Sequence, residues 1–207
     1  PVVGEAAEIA ASAGKVAVTP MLTGLREPWS IGFLPDGAVL ITERGGRLYR
    51  MSGDEVTEVT SVPEVVARGQ GGLFDVLVPR DFAETREIVL SYAKPQARGA
   101  GTAVGVGRLS ADGTRLEAFR EAFESSPSGS TSHHFGGRLV EAPDGALVLT
   151  IGDRGQGPRA QDTRHHQGSV LRITRDGRAA PGNPGLTRPE IWSYGHRNPQ
   201  GAAFDTA

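Results

Sequence analysis

The chain contains no cysteine, so neither a disulfide nor a thiolate metal site can form within it. It has no excess of either charge: 22 Lys and Arg stand against 24 Asp and Glu, for a formal net charge of -2. Without a basic face, a nucleic-acid partner is not expected. No run approaches the roughly 18 apolar residues a membrane span requires, and the N-terminal "PVVGEAAEIAASAGKV" lacks a charged segment followed by an apolar core. Aromatics are sparse at 6%, yet 38% of residues are hydrophobic and 22% charged, which is the composition of an ordinary globular unit able to bury a core. Helical periodicity is also scarce. Only "EAAEIAAS", residues 5–12, suggests it.

What the sequence has in quantity is repetition. "WSIGFLPDGAVLIT" (29–42) aligns without gaps on "GRLVEAPDGALVLT" (137–150), with Pro-Asp-Gly-Ala and the closing threonine in register. Each copy is an apolar run, a Pro-Asp-Gly turn and a second apolar run, the sequence form of a β-hairpin. Asp36 and Asp144 are read as turn formers, despite their likeness to calcium ligands. Further strands follow in "GRLYRM" (46–51) and "GSVLRITRDG" (168–177), and residues 72–93 with 102–113 supply another four-strand set between the copies. Units of about 54 residues favour an all-β propeller over a sandwich. Three such units occupy residues 28–180, and "NPQGAAFDTA" reads as the innermost strand of a fourth. Because a ring of three and a fraction cannot close, the chain is expected to be the N-terminal part of something longer.

Five ordered segments carry a resemblance: "PWSIGFLPDGAVLITERGGRLYRM", "GQGGLFDVLVPRDFAETREIVLSYAK", "HHFGGRLVEAPDGALVLTIGDRG", "AQDTRHHQGSVLRITRDG" and "EIWSYGHRNPQG". In order and spacing the chain resembles, from Leu25 onward, the PQQ-dependent aldose sugar dehydrogenases, relatives of soluble quinoprotein glucose dehydrogenase. The resemblance implies a six-bladed β-propeller, of which this chain would hold about the first three to four blades: 1–24 an N-terminal arm, 25–207 the blades of a single domain. It implies a periplasmic or secreted enzyme that oxidises the C1 hydroxyl of an aldose to a lactone and transfers hydride to PQQ, with an unidentified electron acceptor. It also implies calcium, whose ligands would lie outside this chain; no metal ligand is assigned here.

On the same resemblance His134 is the general base and Asp153 the carboxylate that orients it. The hairpin supports that pairing, since a turn centred near residue 144 pairs positions summing to about 288, and 134 and 153 sum to 287. Gln70 would contact cofactor and substrate, while Arg197 and Asn198 would sit beside the quinone carbonyls, where a guanidinium stabilises developing negative charge. Read from the residues alone, His134 also fits a strand-start histidine bonded to backbone, Gln70 a turn residue, and Arg197 a rim salt bridge. His133 stands where the glucose dehydrogenase branch, on the same resemblance, has an acidic residue nearby, and it keeps no assigned role. His165 and His166 are read as surface-loop residues. Two other classes remain open: a calcium-dependent, lactonase-like propeller hydrolase and a non-catalytic propeller that binds a glycan or protein.

Overall fold

A computed structural model describes residues 7–12 and 14–205. Strands β1 (Ala7–Ala11) and β2 (Gly14–Val18) form an exposed two-stranded hairpin at the N-terminus. The helical period read in "EAAEIAAS" is therefore not realised, and Glu5 and Ala6 lie outside the described residues. A segment this short cannot offset the cost of helix nucleation, whereas residues 14–18 offer it a ladder partner.

Three four-stranded antiparallel sheets follow, each a meander in chain order. The first contains β3 (Pro28–Phe33), β4 (Val39–Glu43), β5 (Arg47–Ser52) and β6 (Glu55–Val59). The second contains β7 (Leu73–Leu77), β8 (Glu87–Gln96), β9 (Gly99–Leu109) and β10 (Leu116–Glu124), with one helical turn, Phe82–Thr85, inside its longer first connection. The third contains β11 (Gly136–Glu141), β12 (Leu147–Ile151), β13 (Ser169–Ile173) and β14 (Ile191–Tyr194). Strand β7 packs against both β3 and β11, so the first strands stand side by side and the rest fan outward. These are three consecutive blades of a propeller.

Alternation along β8 explains why "IVLSYA" reads as one apolar run. Ile88 and Leu90 pack with Leu40, Leu48 and Val59 of the first blade, while Val89 joins Leu139, Leu149 and Leu171 of the third. Both faces of the middle blade are covered, so both sets of alternating side chains must be apolar.

The repeat has a physical basis in each copy. Asp36 Oδ1 accepts from Ala38 N at 3.0 Å and Asp144 Oδ1 from Ala146 N at 3.2 Å, closing equivalent turns whose glycines sit at φ 84° and 83°. The closing threonine is a relay between blades. Thr42 Oγ1 accepts from Ser30 N at 3.0 Å and donates to Phe74 O of the next blade at 2.6 Å. Thr150 Oγ1 likewise accepts from Arg138 N at 3.0 Å and donates to Pro199 O at 2.8 Å. Ser91 does the same between Asp75 N and Gly137 O. Thr42 is wholly buried. A Thr42→Val variant, nearly equal in shape, leaves the buried Phe74 O and the partly buried Ser30 N without this partner and should lower unfolding stability by about 2 kcal/mol in urea titration.

Pro199 thus takes the place that Phe74 holds on β7, the start of a next blade's inner strand. The strand expected in "NPQGAAFDTA" is not formed over residues 198–205, and Thr206 and Ala207 lie outside the described residues. No helix among the described residues is long and apolar enough to cross a membrane.

Candidate active site

The β11–β12 hairpin sets the site. Its register runs Val140↔Val148 and Leu139↔Leu149, both summing to 288, and a bulge then shifts it to Gly136↔Ile151, summing to 287. The same one-residue shift occurs in the inner hairpins of the other two blades. Extending the shifted register by two residues at each end brings His134 opposite Asp153, and His134 Nδ1 lies 2.7 Å from Asp153 Oδ1. The pair is largely buried, with 13% and 9% of the side chains open.

Asp153 is held from three directions. Its Oδ1 also accepts from Gly155 N at 2.7 Å, its carbonyl accepts from Gln156 N at 2.9 Å, and its own N–H donates to Arg197 O at 2.8 Å. An ionised carboxylate accepts only, so a neutral His134 ring facing one carries its proton on Nδ1 and its lone pair on Nε2. That is the tautomer a general base requires.

His134 adopts a left-handed backbone conformation, φ 55°, which a non-glycine residue holds only when its surroundings fix it. Gln70 supplies one restraint, its Oε1 accepting from His134 N at 2.8 Å, while its own N–H donates to Ser132 O at 2.7 Å. Gly152 supplies room, because a Cβ there would lie 2.1 Å from His134 O. Asn198 Oδ1 accepts from Gly136 N at 3.0 Å. The five residues singled out in the sequence therefore meet at one rim.

They also share an electrostatic character. The acceptor oxygens of Gln70 and Asn198 are engaged by backbone N–H groups, so each amide has its NH2 left to offer. Arg197 is exposed, and its carbonyl accepts from Asp153 N.

Two arrangements were not foreseen from sequence. His133 packs edge-on against His134, with ring centroids 4.6 Å apart at 81°, and sits over the Cα of Gly155. Arg154 is buried beside Asp153, bonded to Thr131 O and stacked on Phe135. Its only signal in the sequence is an arginine beside the orienting aspartate.

The surface-loop reading of His165 and His166 requires correction. His165 is partly buried near Asp162, and His166 is 2% exposed, its Nδ1 accepting from Ser126 N at 3.0 Å and its ring edge-on to Phe123. The segment passes under residues 123–126 of the neighbouring blade, a tertiary cover that local polarity does not reveal. Burial pulls His166 down to about 4, further lowered by Arg188 and opposed by Glu190. Since the unfolded chain binds this proton more readily, stability should be full above about pH 6.5 and fall as pH drops toward 4. His166→Gln should flatten that part of a pH series of thermal midpoints, a contribution of about 3 kcal/mol in the wild type.

Propeller blades bearing a histidine–carboxylate pair among convergent donors define a propeller with a built acid–base site at one rim. The chain belongs to the Glucose / Sorbosone dehydrogenase family, which matches residues 25–207. It is 46% identical over 189 residues to the aldose sugar dehydrogenase YliI of Escherichia coli (strain K12), covering 87% of this chain and 51% of that protein. The crystal structure of the soluble aldose sugar dehydrogenase of Escherichia coli in its apo form matches with a TM-score of 0.84 at 45% identity, covering 88% of this chain and 55% of that one. The PQQ-bound form of the Streptomyces coelicolor aldose sugar dehydrogenase matches with a TM-score of 0.77 at 29% identity, covering 96% and 56%. The chain spans about half the length of the curated relatives it matches.

Proposed function

We propose that the protein is a quinoprotein oxidoreductase that oxidises the C1 hydroxyl of aldose sugars to lactones, with His134 as general base. The observation that carries this reading is the His134–Asp153 contact of 2.7 Å, which engages Nδ1, with Gln70 and Asn198 bonded to the backbone at His134 and Gly136. PQQ, when bound, supplies a two-electron acceptor for the hydride that leaves C1. The donor set suits the quinone side of such a group, because all three side chains present N–H to oxygen atoms.

His134 Nε2 takes the hydroxyl proton as the C1–H bond breaks and the C1=O bond forms. Asp153 keeps the ring oriented and meets the positive charge that the imidazole acquires. Arg197, Gln70 and Asn198 stabilise negative charge building on the acceptor's oxygens. Calcium belongs to the same reading, with ligands outside this chain. So does the organisation: residues 25–207 as the N-terminal part of one six-bladed domain preceded by an arm at 1–24, in a periplasmic or secreted enzyme with no nucleic-acid partner.

The test is a titration of the full-length protein with PQQ and calcium, followed by one aldose under single-turnover conditions. Binding followed by sugar-dependent loss of the quinone absorbance is expected. Failure to bind PQQ overturns the reading and leaves a hydrolase or a binding propeller. In the same assay Asp153→Asn should slow reduction by about 10²-fold or more, because an amide NH2 facing Nδ1 puts the proton on Nε2.

A further inference from the structure

Arg154 is the largest side chain in the fully buried set, 2% exposed, and no carboxylate among the described residues pairs with it. Its Nη2 donates to Thr131 O at 2.5 Å and reaches Gly129 O at 3.5 Å, and its Cζ lies 3.3 Å from the centroid of the Phe135 ring. Nε and Nη1 have no partner. Burial pulls the guanidinium down to about 10, so it remains a cation at neutral pH. An interior cation with two unmet N–H groups lowers stability, and replacing such a group by a well-packed apolar one is often neutral or favourable. Stability therefore gives no reason for an arginine here.

Geometry does. Thr131 Oγ1 returns a hydrogen bond to Arg154 O at 2.8 Å, so the 129–132 segment is bonded to Arg154 in both directions. Ser132 O accepts from Gln70 N, Gln70 Oε1 accepts from His134 N, and His134 Nδ1 meets Asp153, the residue before Arg154. The contacts close a ring through Arg154, Thr131, Ser132, Gln70, His134 and Asp153. On the opposite side the guanidinium stacks on Phe135, which follows His134 in the chain.

We propose that Arg154 is a positioning residue of this site: its buried guanidinium locks the 129–132 segment, and through it Gln70 and His134, in the geometry the base needs. The proposal rests on the dehydrogenase reading for its catalytic consequence but not for its geometry.

The experiment compares Arg154→Met and Arg154→Lys in the full-length protein by thermal midpoint, by kcat and KM with PQQ and an aldose, and by proton NMR without cofactor. Arg154→Met should melt at or above the wild-type temperature, lose at least about tenfold in kcat, and lose the slowly exchanging His134 Nδ1–H resonance. Arg154→Lys, which keeps the charge and one donor for Thr131 O, should recover part of both. A lower melting temperature with kcat per folded molecule and the His134 resonance unchanged overturns the proposal, as does failure of both variants to fold. If the wild type oxidises no aldose, the functional reading fails and the His134 resonance alone decides the role of Arg154.

Discussion

Replacing His134 by alanine in the full-length protein should reduce kcat for aldose oxidation by about 10³-fold while leaving the fold and PQQ binding in place. His134 touches the rest of the protein chiefly through its backbone N–H, held by Gln70, and through Nδ1, held by Asp153. Alanine retains the first contact and removes the imidazole that Asp153 orients. The residual rate then reflects Arg197, Gln70 and Asn198, which act on the electron-accepting side and are untouched. A drop in sugar affinity with unchanged turnover would place His134 in substrate binding instead. The left-handed φ of 55° at this position makes the substitution a modest strain for either residue, so circular dichroism should show no loss of structure.

Asp75→Ala should produce the largest loss of stability, about 3–5 kcal/mol in urea titration. Asp75 lies on the inner strand of the middle blade, 3% exposed, and its carboxylate joins all three blades. It accepts from Ser30 Oγ of the first blade, from Arg138 Nη1 of the third at 3.1 Å to each oxygen, and from Leu139 N at 2.7 Å. Arg138 also stacks over Trp29 at 4.5 Å and donates to Gln200 O at 3.1 Å. Removing the carboxylate leaves a half-buried cation and a buried N–H without their acceptor. Asp75→Asn keeps an oxygen for Leu139 N and should cost less, and the difference between the two variants measures the charge.

Much of this was legible before any coordinates. The Pro-Asp-Gly repeat gave two hairpins, because the turn dictates which residues face each other, and its register fell one residue short of setting His134 opposite Asp153, the step that the bulge supplies. The repeated closing threonine was visible as a pattern, but its purpose was not. Thr42 and Thr150 act across blades, on Phe74 O and Pro199 O, partners that a single hairpin does not contain. Burial of charged and polar groups was the least legible feature. Arg154 and His166 sit in polar, glycine-rich stretches, and what encloses them are Phe135, Phe123 and the 125–132 segment, brought over by the turn from one blade to the next. The orientation of Gln70 was likewise hidden, since only the contact with His134 N shows which end of the amide faces the site. The segment 198–207 reads as a strand by composition, yet a strand is defined by its ladder, and over 198–205 the described residues form none.

The most direct measurement is dye reduction by the full-length protein with glucose and other aldoses, with and without PQQ, in wild type and His134→Ala side by side. The account requires sugar-dependent reduction that needs PQQ and falls by about 10³-fold in the variant. Reduction that proceeds equally well in His134→Ala, or that does not depend on PQQ, would contradict it.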